Sequence, residues 1–580
     1  MNRRGFQKNQ LESVFNSNGF SAKFDTEEGD PHIQHINNMD FCLPVTGNDG
    51  IKREGDFARV TGLSPNDQRL FRHLQRGCPE LGRFWTANGA SEIVLTKPPQ
   101  SFKTKVFVYY AVSAIAKDRN VLIVVENQHA HGQQLTDSIN DIMQDLLATG
   151  RDPTRPLEER FEVPCVTPVY VGSLPGKDLA CLEFPLRRGG ALIVCLDNDS
   201  QLSRVRAMLE KTGAEVDMVH DESDGTLKRP SDKEAKRDQA RNDILTHTGR
   251  YIRVTATPMS HFLCEGDAIM TRNLINAKIP DGYVGLEDPL FQLQKVWDQP
   301  DDHTTAKLFS KNAEGDERFP QPWFQDTIAG YATGLPDRVT NEPHDVLVKI
   351  SDRDCDHHEV QDWLAEKYPT HPSIVDNSYA FRLYFPGLLD EPRSWLSVDA
   401  GYEKKVTCQG VEYFCWKNTM HVSYPEMKTR ILDLYESLGK TETFFEIMGR
   451  KADRGVRFLT TNRRWSPSGM VYIPAGGQVQ FMSAYQAAGR IMGVRGADTD
   501  VKYLSTTDRV VEVLKHGYEL QNSYLANSAC TWDKPITELI KSVVVSQEQA
   551  LTRMTKQLSV TAQKRMLKYD VDVPAKRARR

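Results

Sequence analysis

The sequence lacks the features that mark membrane, secreted and zinc-ribbon proteins. It has no apolar run near the roughly 18 residues of a membrane-spanning helix, and its basic start, MNRRGFQKNQ, has no apolar signal segment. The ten cysteines form no CxxC pair. The group Cys355, His357 and His358 has no second ligand pair at a zinc-like spacing. We therefore expect a soluble, intracellular protein with reduced cysteines, no membrane and no zinc site.

Length and charge bound the organisation of the chain. At 580 residues, with 39% hydrophobic and 26% charged residues, it is a folded protein of two to four domains. The net charge of −5 argues against a histone-like nucleic-acid binder. Residues 551–580, however, hold nine Lys or Arg and two Asp, a local net of 9 − 2 = +7. This tail is the clearest charge asymmetry in the sequence.

Two series of short apolar runs predict the fold class. Continuous Val, Ile and Leu runs alternating with helical segments indicate parallel sheets buried on both faces. We predict an α/β protein with two tandem RecA-like P-loop NTPase lobes, an N-terminal arm and a helical basic tail. The predicted strands are EIVL (92–95), VLIVV (121–125), ALIVCL (191–196), VDMV (216–219), YIRVTA (251–256), DVLVKI (345–350), FFEIM (444–448), MVYI (470–473) and VKYL (501–504).

Composition shifts between these series suggest the domain boundaries. A Pro-, Gly- and Asp-rich stretch separates the two series, as a connector would. A long aromatic-containing stretch interrupts the second series and has no assigned role. The predicted division is 1–84 as an N-terminal extension, 85–299 as lobe 1, 300–343 as a linker, 344–525 as lobe 2 with an insertion at about 376–425, and 526–580 as a helical C-terminal extension.

The first predicted strand runs into a candidate phosphate loop. In TKPPQSFKTK a tight loop precedes Lys103 and Thr104 and then an amphipathic helix. Loop amides, a Lys and a hydroxyl in this order suit phosphates and Mg²⁺. The position before the Lys, usually Gly, is Phe102, and Pro98 and Pro99 replace loop glycines. By itself the segment is equally compatible with a plain strand–turn–helix. The candidate nucleotide-binding residues are Gln100, Ser101, Lys103 and Thr104.

Asp221 and Glu222 follow the apolar run VDMV after a single residue, His220. An acidic pair at the end of a buried strand beside a phosphate loop supplies a carboxylate for Mg²⁺ and a base for water. Thr104 and Asp221 are then the candidate metal ligands, and Glu222 is the candidate base. The alternative is a solvated acidic loop, which the pair alone does not exclude.

Two further segments complete the series in order. Thr255 and Thr257 lie in TATP after the next apolar run, and small hydroxyl residues there suit a link between a nucleotide site and the second lobe. In YQAAGRIMGVR, a Gln orients water, and an Arg entering from a second domain neutralises charge on a transferring phosphoryl group. Here these are Gln486 and Arg490, with Arg495 as a second candidate. The segment MGRKADRG (448–455) predicts a Gly- and Arg-rich loop near the same cleft.

The order of these motifs resembles a superfamily 2 helicase of the DExx type. The likeness covers roughly residues 90–510, with DESD as second motif, TATP as third and QAAGR as sixth; it is strongest to helicase-like NTPases beside phage and restriction-type nuclease systems. It implies ATP and Mg²⁺ as cofactors. It implies that Lys103 contacts the β/γ phosphates, that Glu222 is the general base, and that Thr255 and Thr257 couple hydrolysis to lobe movement. Gln486 and Arg490 then complete the site.

Nucleic acid is the partner that this resemblance implies, with DNA favoured over RNA. We expect contacts from the loops at 126–134 and 167–177, which follow predicted strands. The basic tail resembles a two-part nuclear import signal, which implies an import receptor, a nuclear location and a eukaryotic, viral or mobile-element source. A polybasic grip on nucleic acid and a solvated tail are the alternatives. Its residues are Lys564, Arg565, Lys576, Arg577, Arg579 and Arg580.

The sequence thus favours an ATP-dependent nucleic-acid helicase or translocase. A second hypothesis is a catalytically inactive, helicase-derived binding or scaffold protein in which Phe102 blocks the phosphate pocket. A third is the motor subunit of a complex with a separate nuclease or replication partner, since no nuclease motif was found in this chain.

Overall fold

A computed structural model defines the fold. It describes residues 64–86, 92–127, 129–174, 179–223, 232–258, 261, 273–297, 308–311, 318–333, 345–350, 354–376, 380–386, 402–408, 411–417, 431–433, 435, 442–449, 467–474, 481–494 and 501–530. Residues 1–63 of the predicted N-terminal extension lie outside the described residues. So do most of the predicted Gly- and Arg-rich loop, Arg495 and the whole basic tail, with Lys564, Arg565, Lys576, Arg577, Arg579 and Arg580.

The first domain is built on a seven-stranded parallel sheet. Its strands are rich in Val, Ile and Leu because helices cover both faces of the sheet. The strand order is β3-β4-β2-β5-β6-β1-β7. The strands are β1 (Glu92–Thr96), β2 (Asn120–Val125), β3 (Val169–Tyr170), β4 (Leu192–Leu196), β5 (Val216–Asp221), β6 (Thr248–Thr255) and β7 (Leu274–Asn276).

Alternate residues of these strands enter two separate apolar cores. Val121, Ile123 and Val125 of β2 face one core, and Leu122 and Val124 face the other. The first core is covered by α1 (Pro65–Gly77), α2 (Leu81–Thr86), α3 (Lys103–Ile115) and α4 (His129–Arg151). The second is covered by α5 (Ala180–Arg188), α6 (Asp199–Thr212) and α7 (Asp232–Leu245).

The second domain holds a nine-stranded sheet of mixed direction. Its order is β15-β16-β14-β13-β17-β12-β18-β20-β9. The parallel part contains β9 (Phe291–Trp297), β12 (Asp345–Lys349), β13 (Ser373–Asp376), β17 (Phe444–Met448), β18 (Gly469–Tyr472) and β20 (Lys502–Thr507). The expected pair of α/β domains with mainly parallel sheets is therefore confirmed.

The stretch that we took for an insertion extends this sheet. Residues after β13 return as β14 (Ala380–Tyr384), and a hairpin of β15 (Tyr402–Cys408) and β16 (Val411–Lys417) follows, all three antiparallel to their neighbours. Within the predicted linker, α8 (Pro322–Thr333) packs Phe324 and Ile328 into the second-domain core. The exact domain boundaries remain a prediction.

Helices cover both faces of the second sheet as well. On one face lie α8 and α9 (Asp354–Lys367), and on the other lie α10 (Phe481–Ala488) and α11 (Asp508–Cys530). Two small sheets pair β8 (Tyr283–Val284) with β19 (Gly493–Val494), and β10 (Phe309–Lys311) with β11 (Arg318–Pro320). Among the described helices, none combines the length and the apolar character needed to cross a bilayer.

A buried charged network supports the first sheet at the amino end of β5. Asp217 has a fully buried side chain and accepts hydrogen bonds from the Arg119 guanidinium and, at 2.7 Å, from the Tyr110 hydroxyl. Burial and the nearby Asp217 carboxylate raise the pKa of Tyr110 well above its usual value, so the phenol stays protonated and donates. The network joins α3 to β5, and it thereby sets the position of the helix that follows the phosphate loop.

Replacing Asp217 by Ala should lower the free energy of unfolding by about 2–3 kcal/mol. Removing one partner of a fully buried ion pair costs about 3–5 kcal/mol, because the other charge is left uncompensated. The loss should be smaller here because Arg119 is 36% exposed. Chemical denaturation followed by circular dichroism would measure it. Glu183→Ala is the control: its ion pairs with Arg187 and Lys211 lie in solvent and should contribute nothing measurable. Equal stability of both variants would contradict the assignment.

Candidate nucleotide site between the two domains

The three motif-bearing strands of the first domain are neighbours, which brings their carboxyl ends together. β6 lies between β1 and β5, with Thr96 level with Thr255 and Asp221 level with Val254. Ligands of α/β proteins bind at this edge of a parallel sheet. The phosphate loop, the acidic pair and TATP, far apart in sequence, therefore share one edge.

The candidate phosphate loop ends in a residue with a left-handed backbone. Phe102 precedes α3 with φ 65° and ψ 36°, a left-handed conformation that glycine accepts and other residues rarely adopt. The residue is 51% exposed, so the protein covers about half of its surface. No side chain caps the amino end of α3, whereas Ser64 caps α1 and Asn198 caps α6. The amides of such a helix start attract anions.

Two loop residues that we had assigned to nucleotide binding make contacts within the protein. The buried Ser101 hydroxyl donates to the Pro98 carbonyl at 2.5 Å and so closes the turn. The Gln100 amide donates to the backbone carbonyl of Arg490 at 3.0 Å, and so reaches the second domain. Both contacts shape the loop, and a direct contact of either side chain with nucleotide stays a prediction.

Lys103 and the acidic pair meet directly. The Lys103 Nζ lies 2.5 Å from Glu222 Oε1, and both side chains are about 10% exposed. Glu222 itself has a φ of 52°, and its amide donates to Asp221 Oδ1 at 3.1 Å. A lysine and a carboxylate this well shielded from water attract each other strongly. Without ligand, the two groups therefore neutralise each other.

The second domain reaches the same carboxylate. Gln486 of α10 donates from Nε2 to Glu222 Oε2 at 2.8 Å, so Glu222 bridges Lys103 and Gln486 with its two oxygens. Gly489 follows α10 and faces the phosphate loop: a Cβ atom there would lie 2.4 Å from the Pro99 Cβ. Only glycine permits this approach. Arg490 is 9% exposed, and its backbone carries the contact with Gln100.

The TATP segment contacts the second domain through its alanine. Thr255 Oγ1 accepts a hydrogen bond from the Thr257 amide at 2.9 Å, which fixes the turn after β6. The Ala256 side chain lies in the core cluster of the second domain, and its carbonyl accepts from Gln521 of α11 at 3.3 Å. Both threonines are fully buried. The segment that we expected to couple the lobes thus touches both, and the coupling role of Thr255 and Thr257 remains a prediction.

Thr104 and Asp221 provide oxygen ligands of the kind that Mg²⁺ prefers. Mg²⁺ is held by one or two carboxylates or hydroxyls together with substrate phosphates. Thr104 lies in the first turn of α3, and the 6% exposed Asp221 ends β5 next to Glu222. This donor set suits a magnesium ion accompanied by a phosphate chain.

Two residues that contact this site could not be predicted from the sequence. Tyr283 donates to the Pro99 carbonyl at 2.9 Å, and burial raises its pKa above the usual value, which keeps the phenol a donor. His261 bonds to Ser223 at 2.8 Å directly behind the acidic pair. Single tyrosine and histidine residues in loops are common, so only their neighbours in space distinguish these two.

Comparison with known proteins yields structures but no sequence relatives. No protein-family model matches the chain, and no curated protein matches it either. Dbp5 from S. cerevisiae, bound to RNA and ADP–BeF3, is similar with a TM-score of 0.42 and 9% identity over 80% of this chain and 92% of that one. The helicase Lhr of Mycobacterium smegmatis, bound to single-stranded DNA and AMP-PNP, has a TM-score of 0.45 and 11% identity over 79% of this chain and 50% of that one.

The ATP-dependent Type ISP restriction-modification enzyme LlaBIII, bound to DNA, gives a TM-score of 0.42 and 11% identity over 78% of this chain and 30% of that one. Other structures to which this chain is similar include the DEAD-box helicase Mss116 and the helicase MrfA. At these identities and TM-scores the likeness concerns the fold, and it gives no residue a role.

Gly489→Ala should separate the two domains at this site. The added methyl would overlap Pro99, whose ring is rigid, so the second domain must retreat and the Gln486–Glu222 hydrogen bond must lengthen. We expect a loss of compactness in small-angle X-ray scattering and faster amide exchange in α10. Gly330→Ala, a helical glycine with nothing within 4 Å of the added carbon, should change neither. Identical scattering and exchange for the two variants would refute the close contact.

Phe102→Gly should be tolerated better than Phe102→Val, because glycine removes the cost of the left-handed backbone while both variants lose the half of the Phe102 ring that the protein covers. That cost is about 1–2 kcal/mol for a residue with a side chain, of which glycine's extra unfolded-state entropy cancels about half. We expect the free energy of unfolding of the Gly variant to exceed that of the Val variant by about 0.5–1 kcal/mol. Valine, with a β-branched side chain, is strained at positive φ. A Gly variant less stable than the Val variant would contradict this conformation.

Proposed function

We propose that the protein is an ATP-dependent nucleic-acid translocase or helicase that hydrolyses ATP between its two domains. The observation that carries the proposal is the convergence on Glu222 of Lys103 from the phosphate loop and Gln486 from the second domain. A base that can be reached from both sides of a cleft is what a hydrolysis cycle with domain closure needs.

In this proposal the phosphates of ATP replace Glu222 as the partner of Lys103. The lysine ammonium then contacts the β- and γ-phosphates, and the amides at the uncapped start of α3 bind their oxygens. Glu222, released from its cation, is free to accept a proton from water. A magnesium ion held by Thr104, Asp221 and the phosphates would supply charge neutralisation.

The second domain completes the reaction in the same scheme. Gln486, already bonded to Glu222, would orient the attacking water between the two residues. Arg490 follows within the same turn and would stabilise charge on the transferring phosphoryl group. Arg495 is the second candidate for that role. Because Ala256 and Gly489 tie the two domains to the site, the state of the nucleotide would govern the domain movement.

The nucleic-acid strand would cross the carboxyl edge of the first sheet. In the order β3-β4-β2, the loop after β2 and the 3-10 turn Val171–Ser173 that follows β3 lie on either side of the loop after β4. Between them, Asn198 at the start of α6 bonds to the exposed Asn127 at 2.9 Å. Amides and helix starts at one edge suit the phosphates of a single strand. DNA is the favoured substrate; a separate nuclease partner and nuclear import by the tail belong to this proposal as well.

ATP turnover with and without single-stranded DNA or RNA tests this function. We expect stimulated phosphate release in the natural protein. Glu222→Gln should lower it by at least about 10²-fold, as loss of a general base does, while a fluorescent ATP analogue still binds. Lys103→Ala should lose both turnover and binding of the analogue. Lys105→Ala is the matched control, since Lys105 lies over the Tyr109 ring outside the site.

Turnover equal to that of Lys103→Ala, with nucleic acid still bound, would exclude a motor. The protein would then be a helicase-derived binding scaffold.

A further inference from the structure

A buried chain of polar side chains lies directly behind the acidic pair. Glu92 at the start of β1 pairs with Arg253 of β6. Arg253 Nη1 lies 3.2 Å from His261 Nδ1, and His261 Nε2 lies 2.8 Å from the Ser223 hydroxyl. The serine in turn lies 3.4 Å from the Val254 carbonyl. Both His261 and Ser223 are at most 1% exposed.

The partners of His261 determine its tautomer. A guanidinium can only donate, so Nδ1 must accept from Arg253 and carries no proton. The neutral ring then holds its proton on Nε2 and donates it to the Ser223 oxygen. The serine hydroxyl is left to donate to the Val254 carbonyl. Burial first, and then the charge of Arg253, hold the pKa of His261 well below its usual value, so the ring stays neutral and the bonds keep this direction.

The chain of bonds ends at the residue next to the candidate base. Ser223 follows Glu222 directly, and Glu222 has a φ of 52°, a conformation that non-glycine residues hold only when their surroundings enforce it. Val254, at the other end, directly precedes Thr255 of the TATP segment. His261 therefore fixes the backbone of the acidic pair against the strand that leads to the second domain.

We propose that His261 is a positioning residue: through Ser223 it holds Glu222 where the carboxylate reaches both Lys103 and Gln486. The proposal rests on the hydrolytic function argued above. His261 bonds to Ser223, the residue after Glu222, so its loss should act on the use of bound ATP and not on the binding of ATP.

Three substitutions separate positioning from general stability. In His261→Leu the ring is replaced by an apolar side chain that makes no hydrogen bonds. In His261→Gln an amide keeps one donor for Ser223 and one acceptor for Arg253. His220→Leu is the matched control. His220 is a second buried histidine of the same domain, bonded to the Tyr251 hydroxyl at 3.0 Å and not to Ser223.

For stimulated ATP turnover we expect His261→Leu to lower kcat by about tenfold or more, as a misplaced catalytic group does, with KM for ATP changed by less than about twofold. His261→Gln should recover most of kcat, and His220→Leu should keep it at temperatures where the protein is folded. Ser223→Ala should match His261→Leu, and the double variant should be no slower than either, because both act through one bond. Full kcat in His261→Leu, or strictly additive losses, would overturn the proposal.

Amide exchange without nucleotide provides a readout independent of turnover. In His261→Leu the peptide containing residues 216–223 should exchange at least about tenfold faster, with His261→Gln unchanged there. If the natural protein hydrolyses no ATP, the proposed function fails, and this exchange pattern alone decides whether His261 fixes the acidic pair. Unchanged exchange in His261→Leu would overturn the positioning role, whatever the turnover.

Discussion

The Glu222 carboxylate accepts a lysine from its own domain on one oxygen and an amide from the other domain on the second. Both contacts lie in a shielded cleft, where charge attraction is far stronger than in bulk water. Three elements must be in place for them to exist: the end of β5, the start of α3 and the face of α10. The arrangement of the domains and the chemistry of the site therefore depend on the same contacts, because moving either domain breaks a bond to Glu222.

Backbone strain collects at this carboxylate. Four non-glycine residues have positive φ in the part of the chain that the structure describes, and three of them, Gln100, Phe102 and Glu222, line the cleft. Each such conformation costs on the order of 1–3 kcal/mol unless the surroundings enforce it. Here the Ser101–Pro98 bond closes the loop, and the His261–Ser223 bond fixes the residue after Glu222. The strain and its restraints lie where the proposed hydrolysis needs fixed groups.

The two prolines of the loop, which lack amide donors, contribute through other atoms. The Pro98 carbonyl accepts from Ser101, the Pro99 carbonyl accepts from Tyr283, and the Pro99 ring fills the space left by Gly489. The prolines thus give the loop a rigid surface against the second domain, and the residue before Lys103 has a left-handed backbone.

The sequence by itself determined nine strands of the two sheets and the order of the motifs, because apolar runs of buried parallel strands and turn residues are local signals. Lys103 and Glu222 were singled out because each lies beside a predicted strand or helix, and Gln486 because of its motif. Only the tertiary structure decided that Phe102 is half exposed, that residues 380–417 extend the second sheet, and that Gln100 reaches Arg490. Only it revealed His261 and Tyr283. These facts depend on backbone angles and on contacts between residues up to about four hundred positions apart, and no local pattern records either.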